Sequence, residues 1–293
     1  MIELGPEVEE ARRQRIPIVA LETTLVAHGF PNGEGLEVAL ASERRIREAG
    51  AVPATVGVVD GDLRVGLSPS ELERFAAAGA AARKVGPRDL AAVAVSRALG
   101  ATTVGGTLAV CGAAGIRFMA TGGIGGVHRG FAQRLDVSAD LGELARTPVL
   151  VASSGIKSLL DVPATLEVLE TVGVPVLGWR TETLPLFYAA TGGPPVPDKV
   201  ETAAEAAAIA RSHWSLGRAG LLLAQPPAES LEVEPLVQAA LVEAEAKAVT
   251  GQDVTPFVLA HIHRETGGAS VRINKQLIAD NATLAAEVAV AFG

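Results

Sequence analysis

At 293 residues and a formal charge of −8, the chain can bury a substantial core but is too acidic for a nucleic-acid surface, which needs clustered Lys and Arg. Nearly half of it is apolar (48%) while only 3% is aromatic, so the core is built from Ala, Val, Leu and Ile, packed closely with the help of 32 glycines. The charge still leaves room for a small phosphorylated ligand, since a few cations and backbone N–H groups can hold one phosphate.

In chain order, a charged N-terminal helix precedes a short apolar strand, IPIVAL (16–21), and LEVALASERRIREAG predicts a helix over 35–49 from its three- and four-residue spacing. TVGVVDG and LRVGL read as two strands joined at Asp60-Gly61-Asp62, a hairpin signal. Ser68, Pro69 and Glu71 predict a capped helix start, and Pro87-Arg88-Asp89 opens another helix, AAVAVSRAL, ended by Gly100. Then come the strand ATTVGG, a small-residue helix to Gly115, and the strand IRFMATGG. PVLVASS (148–154) is a strand, with a helix expected through Lys157–Asp161. The helix ATLEVLETVG, strand VPVLGW, helix AAEAAAIARSHWSLG and strand AGLLLAQP continue the alternation, GGPPVP (192–197) is a surface loop, and the last third is mostly helical.

Alternating strands and helices predict an α/β/α layered fold whose central sheet is largely parallel and partly mixed, with no linker, and so a single domain over 1–293. The lone Cys111 forms no disulfide within the chain and fits a reducing, cytoplasmic setting. The N-terminus has no apolar signal region, and the weakly polar stretch 98–127, interrupted by glycines and Arg117, reads as buried strand–loop–strand and not as a membrane span.

Ligands in parallel sheets bind beyond the carboxyl ends of strands. Glu22-Thr23-Thr24, the loop Thr121–Gly130 (TGGIGGVHRG), Ser153–Lys157 and Thr181-Glu182 occupy such positions, and four strand ends could converge on one cleft. The glycine loop, with His128 and Arg129, lacks both P-loop and dinucleotide spacing; it is either a phosphate loop, which its position favours, or a tightly packed crossover. Asp136 and Asp140 around Ser138 either converge on a hard divalent cation or mark a helix start. Lys157, where a strand gives way, is either an exposed lysine or an amine placed to form an imine. Lys84 is a phosphate contact or a charged helix end, and His28 could line the same cleft. No role follows for His213, His261 or His263.

Taken in order, IVALETTLVAHGFP, AVPATVGVVDGDLRVGL, ARKVGPRDL, GATTVGGT, ATGGIGGVHRG, LDVSADL, SSGIKSLLD, VTPF and NKQLIADNA resemble the pseudouridine-5′-phosphate glycosidase family over nearly the whole chain. The resemblance implies an α/β/α fold, a homotrimer, one Mn²⁺ or other divalent cation per subunit, and reversible cleavage of pseudouridine 5′-phosphate to uracil and ribose 5-phosphate. Carried over by position, Glu22 is the proton donor and Lys157 the nucleophile that forms an imine at C1′. Asp136 is the metal ligand; Lys84, Val104, Ser138, Ala139 and Asp140 bind substrate, with His128 added for the phosphate; and Asn274 or Asn281 supports catalysis. Ser153-Ser154-Gly155 stands where the family usually has a Cys-Ala-Gly-type sequence, and INKQLIADNA where it reads like ANIALVKNNA. The alternative is another lysine-imine lyase, aldolase-like, on a sugar phosphate. A non-catalytic sugar-phosphate sensor is a third class.

Overall fold

The computed structural model describes residues 2–130, 135–249, 251 and 254–293. Its elements run β1 (Ile2–Leu4), α1 (Pro6–Gln14), β2 (Ile18–Glu22), α2 (Thr24–His28), α3 (Gly35–Glu48), β3 (Val52–Val59), β4 (Asp62–Val65), α4 (Pro69–Ala78), β5 (Arg83–Val85), α5 (Leu90–Ser96) and β6 (Gly100–Thr102). They continue with α6 (Val104–Ala114), β7 (Phe118–Ala120), β8 (Val127–His128), α7 (Ala139–Leu144), β9 (Leu150–Ser153), β10 (Leu160–Asp161), α8 (Val162–Thr171), β11 (Val176–Trp179) and β12 (Asp198–Val200). The last third holds α9 (Ala203–Ser215), β13 (Leu221–Ala224), α10 (Glu234–Ala246), α11 (Val254–Glu265) and α12 (Ala269–Phe292).

The main sheet runs β1-β4-β3-β2-β7-β9-β13-β11-β12. All neighbours from β3 to β12 are parallel, while β3–β4 and β3–β6 are antiparallel, so the sheet is mixed on one side, as expected. The hairpin forms at Asp60-Gly61, both with positive φ (54° and 98°), the backbone that an Asp-Gly turn accepts. Ser68 caps α4 in a complete capping box with Glu71.

Strand alternation sorts the core into two layers. Val19, Leu21, Phe118, Ala120, Leu150, Ala152, Leu221 and Leu223 face α3, α9 and α12, whose contact residues include Ala206, Ala210, Ala282, Ala285 and Ala289. Ala20, Met119, Val151 and Leu222 face the opposite way, onto Leu108 and Cys111 of α6, Leu144 and Leu169. Alanines on α9 and α12 let those helices approach the strands closely, which is how a core poor in aromatics fills its volume.

The sheet also divides. Residues Val52–Val56 of β3 pair with β2, but Gly57 and Val58 pair with β6. At the handover, the Val56 carbonyl accepts hydrogen bonds from the hydroxyls of Thr23 (2.8 Å) and Thr102 (2.7 Å). The Thr102 N–H donates to Thr23 Oγ1 (2.8 Å) and the Thr107 hydroxyl to Thr102 Oγ1 (2.9 Å), all fully buried. This threonine knot holds the two branches apart at the end of β2.

Several expectations are corrected. No helix covers Lys157–Asp161: Lys157 lies in a turn, Leu160–Asp161 pairs antiparallel with Val127–His128, and Asp161 caps a helix that starts at Val162 with Pro163 in its first turn. The helix after Pro87 stops at Ser96, where Arg97 turns left-handed (φ 53°). Gly100 is the first residue of β6, where a Cβ would lie 2.8 Å from both Val85 and Val93. Lys84 sits mid-strand in β5 and not at a helix end.

Replacing Thr102 with Val should leave the Thr107 hydroxyl buried without its acceptor and lower unfolding free energy by about 1–3 kcal/mol. Urea denaturation should show this as a lower midpoint at unchanged slope.

Candidate active site

Glu22 is the last residue of β2, at the point where the chain order reverses: β3 follows on one side and β7 lies on the other. Its side chain is 4% exposed, and the Thr121 hydroxyl, at the end of β7, donates to its Oε1. Asn281 on α12 in turn donates to the Thr121 carbonyl (2.9 Å) and to Ser154 Oγ (3.2 Å). Burial pushes the Glu22 carboxyl above its ordinary value of 4.5. Lys157, the Thr121 hydrogen bond and, more weakly, Lys84 hold it partly down, while Asp140 pushes it further up. A carboxyl so placed keeps its proton closer to neutral pH than a surface glutamate does, which suits a general acid.

A cleft of about 1180 Å³ opens beyond these strand ends. Glu22, His28, Lys84, Val104, His128, Asp136, Ser138, Ala139, Asp140 and Lys157 all line it. Lys157 follows β9; its N–H donates to the Ile124 carbonyl (3.2 Å), and the Ile124 N–H to Gly155 O (3.1 Å), so its turn is sewn to the glycine loop. Lys84 enters from the other branch of the divided sheet, on β5, and Val104 is the first residue of α6, which Thr103 caps.

The glycine loop is not a free anion cradle. Its N–H groups at Ile124, Gly125, Val127 and His128 donate to Gly155 O, Asp140 Oδ2, Thr165 Oγ1 and Asp136 O. Its glycines answer to packing: an added Cβ would lie 2.3 Å from Ser138 Oγ at Gly125, 2.4 Å from Thr165 at Gly126 and 2.6 Å from Phe187 at Gly123. The crossover reading of this loop accounts for these four N–H groups and three glycines.

Of the two alternatives for Asp136–Asp140, the structure shows the helix start, and the two carboxylates do not converge. Ser138 caps α7 by accepting the Asp140 N–H (3.2 Å). Asp140, 5% exposed, turns its two oxygens to the N–H groups of Gly105 (2.7 Å) and Gly125 (2.8 Å), tying the start of α6 to the glycine loop. Asp136 is half-open to solvent, with Oδ2 3.9 Å from His128 Nδ1. Among the described residues no group of three His, Cys, Asp or Glu could cage a metal. Asp136 alone fits a hard divalent cation that takes its other ligands from water and substrate. Burial pushes His128 below its usual value against the pull of Asp136, with Lys157 and Lys84 adding to the lowering. Burial also lowers His28, which donates from Nε2 to Ala82 O (3.0 Å).

Other expected residues stay outside the cleft. Thr181-Glu182 lies just beyond β11, which β13 separates from β9, and does not line it. Neither asparagine lines it; Asn281 acts on Thr121 and Ser154 from below, while Asn274 is buried with Oδ1 unpartnered. Arg129 pairs with Glu234 and the carbonyls of Ser158 and Leu160, away from ligand duty. The part of Thr121 was legible only as a hydroxyl at a strand end, and that of Asp140 as a backbone tie not at all.

Fold and cleft define an α/β enzyme that brings a buried carboxyl and a lysine together beyond the carboxyl ends of parallel strands. The chain belongs to the indigoidine synthase A like family, whose model matches residues 7–291. It is 48% identical to a pseudouridine-5′-phosphate glycosidase of Chloroflexus aurantiacus, over 99% of this chain and 98% of that one. To the enzyme of the same name from Glaesserella parasuis it is 44% identical, over 99% and 97%. Among solved structures, the prealnumycin C-glycosynthase AlnA in complex with ribulose 5-phosphate superposes with a TM-score of 0.90 at 37% identity, covering 100% of this chain and 97% of that one. An indigoidine synthase A-like protein from Thermotoga maritima gives 0.89 at 36% identity, with 99% and 96% covered.

Because Glu22 lies above 4.5 in the folded state, its ionisation destabilises that state: stability is fully present below pH 4.5 and falls as pH rises through the raised value. The variant Glu22→Gln should therefore melt higher than wild type near neutral pH, with the gap closing as pH falls toward 4.5 in thermal scans.

Proposed function

We propose that the chain cleaves the C–C glycosidic bond of pseudouridine 5′-phosphate reversibly, giving uracil and ribose 5-phosphate. The observation that carries this reading is the convergence of Glu22, Lys84, Val104, Ser138, Asp136 and Lys157 on one cleft from separate strand ends and both branches of the sheet. The names of its relatives and the sugar phosphate bound by the C-glycosynthase point to the same substrate class.

A C-glycoside offers no leaving-group oxygen for an acid to protonate, so a pair of carboxylates working as in ordinary glycosidases does not suffice. In our reading the C1′–O4′ bond breaks as the Lys157 amine bonds to C1′, and the proton that the amine sheds ends on O4′. Glu22 supplies a proton to C5 of the uracil as the C–C bond breaks and the imine forms, and water then releases ribose 5-phosphate. Asn281 and Thr121 hold Glu22 in place. Lys84, with His128, Val104, Ser138, Ala139 and Asp140 around it, receives the phosphorylated sugar. Asp136 would hold a divalent cation, Mn²⁺ in this reading, which when bound supplies Lewis-acid charge to ligand oxygens. We further propose a cytoplasmic homotrimer. No helix among the described residues is long and apolar enough to cross a membrane.

Incubating the protein with Mn²⁺ and pseudouridine 5′-phosphate should release uracil, and borohydride should trap a ribosyl phosphate on Lys157. Glu22→Gln should lower kcat by about 10²–10⁴-fold. Chelation should stop uracil release and added Mn²⁺ restore it. An adduct on another residue, or an unphosphorylated nucleoside turned over equally well, would refute the assignment; trapping with a sugar phosphate but no uracil chemistry would favour the aldolase-like lyase.

A further inference from the structure

Lys157 sits on neither a helix nor a strand, yet capture of C1′ demands an amine placed within fractions of an ångström. What fixes its turn is a second segment, Pro185-Leu186-Phe187, which no motif in the sequence singles out. The Phe187 N–H donates to Ser154 O (3.0 Å), and the Ser158 hydroxyl donates to Leu186 O (2.8 Å), so this segment grips the lysine turn at both ends. The Pro185 carbonyl fills the space of a Cβ on Gly155, at 2.2 Å from where one would stand, and Gly155 itself is left-handed (φ 73°).

Phe187 is left-handed too, with φ 61°. Such a backbone is rare for a bulky residue and persists only where its surroundings over-determine it. Here they do. The ring is 3% exposed and stacks edge-on against Tyr188 at 4.7 Å. It also lies on the two glycines at the floor of the loop: an added Cβ would be 2.6 Å from the ring at Gly123 and 3.3 Å at Gly122. Gly122 O in turn accepts the Ser154 N–H (2.8 Å), and Ile124 O accepts that of Lys157. Phe187 thus touches both walls of the slot that carries Lys157 while lying outside the cleft lining itself.

We propose that Phe187 is a positioning residue for the reaction at Lys157: its strained backbone and ring lock the Ser154–Ser158 turn against the Gly122–Ile124 loop and set where the amine stands. This rests on the reading of Lys157 as the nucleophile. A residue of this kind acts on the chemical step and leaves substrate binding nearly alone.

The test uses the whole chain with Mn²⁺ and pseudouridine 5′-phosphate, following the borohydride-trapped adduct by intact mass over time, beside kcat, KM and near-ultraviolet circular dichroism. Phe187→Ala should slow adduct formation at Lys157 and lower kcat by about 10²-fold while KM stays within about threefold. Phe187→Leu should recover most of that loss. Gly123→Ala, which presses on the ring from the other side, should repeat the alanine signature, and it carries the readout where Phe187→Ala does not fold. Wild-type trapping rates in a folded Phe187→Ala or Gly123→Ala chain, or a raised KM at unchanged kcat, would overturn the proposal and leave the nucleophile standing. A wild-type adduct on a residue other than Lys157 would overturn both.

Discussion

A single carbonyl, that of Val56, decides where this protein has a site. Strand β3 is long enough to need two partners on one edge, β2 along its first half and β6 beyond. Where the partners change, the sheet must either leave backbone groups unpaired in the core or satisfy them with side chains. Thr23 and Thr102 do the latter, each donating to Val56 O, and their mutual hydrogen bond fixes the angle between the branches. The next residue back from Thr23 is Glu22. It is buried at that division, burial raises its pKa, and Lys84 stands on the far branch.

The rest of the core makes the division tolerable. A sheet that splits loses some cross-strand packing on the β6 side, where Val58, Val85 and Val93 form only a small apolar cluster. On the unbroken side, β2, β7, β9 and β13 are covered on one face by the alanines of α9 and α12 and on the other by α6 and its neighbours. That rigid half carries Thr121 and Lys157, and through Asn281 on α12 it also reaches the acid. Glu22 and Lys157 thus stand on the well-packed half and Lys84 on the divided one. Cys111 lies in the packed half, where burial pushes its thiol up to about 12 and leaves it without reactivity.

Periodicity and turn chemistry made most of this fold readable: alternating apolar runs gave the parallel strands, Asp60-Gly61 the hairpin, and Ser68 with Glu71 a cap. The failures have one physical source. Short strands such as Arg83–Val85 and Leu160–Asp161 exist because of their partners, not because of local propensity, so neither the helix expected from Lys157 nor the helix-end alternative for Lys84 forms. The glycine loop is ambiguous for a related reason. A glycine needed for close packing against Ser138, Thr165 or Phe187 is indistinguishable in one sequence from a glycine needed for a phosphate. Of the candidate residues, those on the cleft were found through strand ends and resemblance; Phe187 was invisible, because a left-handed backbone at a bulky residue leaves no pattern.

The coupling between Glu22 and Lys157 gives the proposed reaction its order. A positive Lys157 is the largest influence holding the buried carboxyl down. Once the amine is neutral and has added to C1′, that influence is gone and Glu22 grips its proton more tightly, loaded as an acid. When the C–C bond breaks, the nitrogen becomes a cationic imine and the positive charge returns beside the carboxyl. Release of the proton toward uracil C5 is then favoured at the moment when the leaving carbon needs it. In the proposed reaction each change of charge on the lysine would thus act on the acid. The same coupling means that removing Lys157 alters Glu22 as well, so a lysine variant reports on the pair and not on the nucleophile alone.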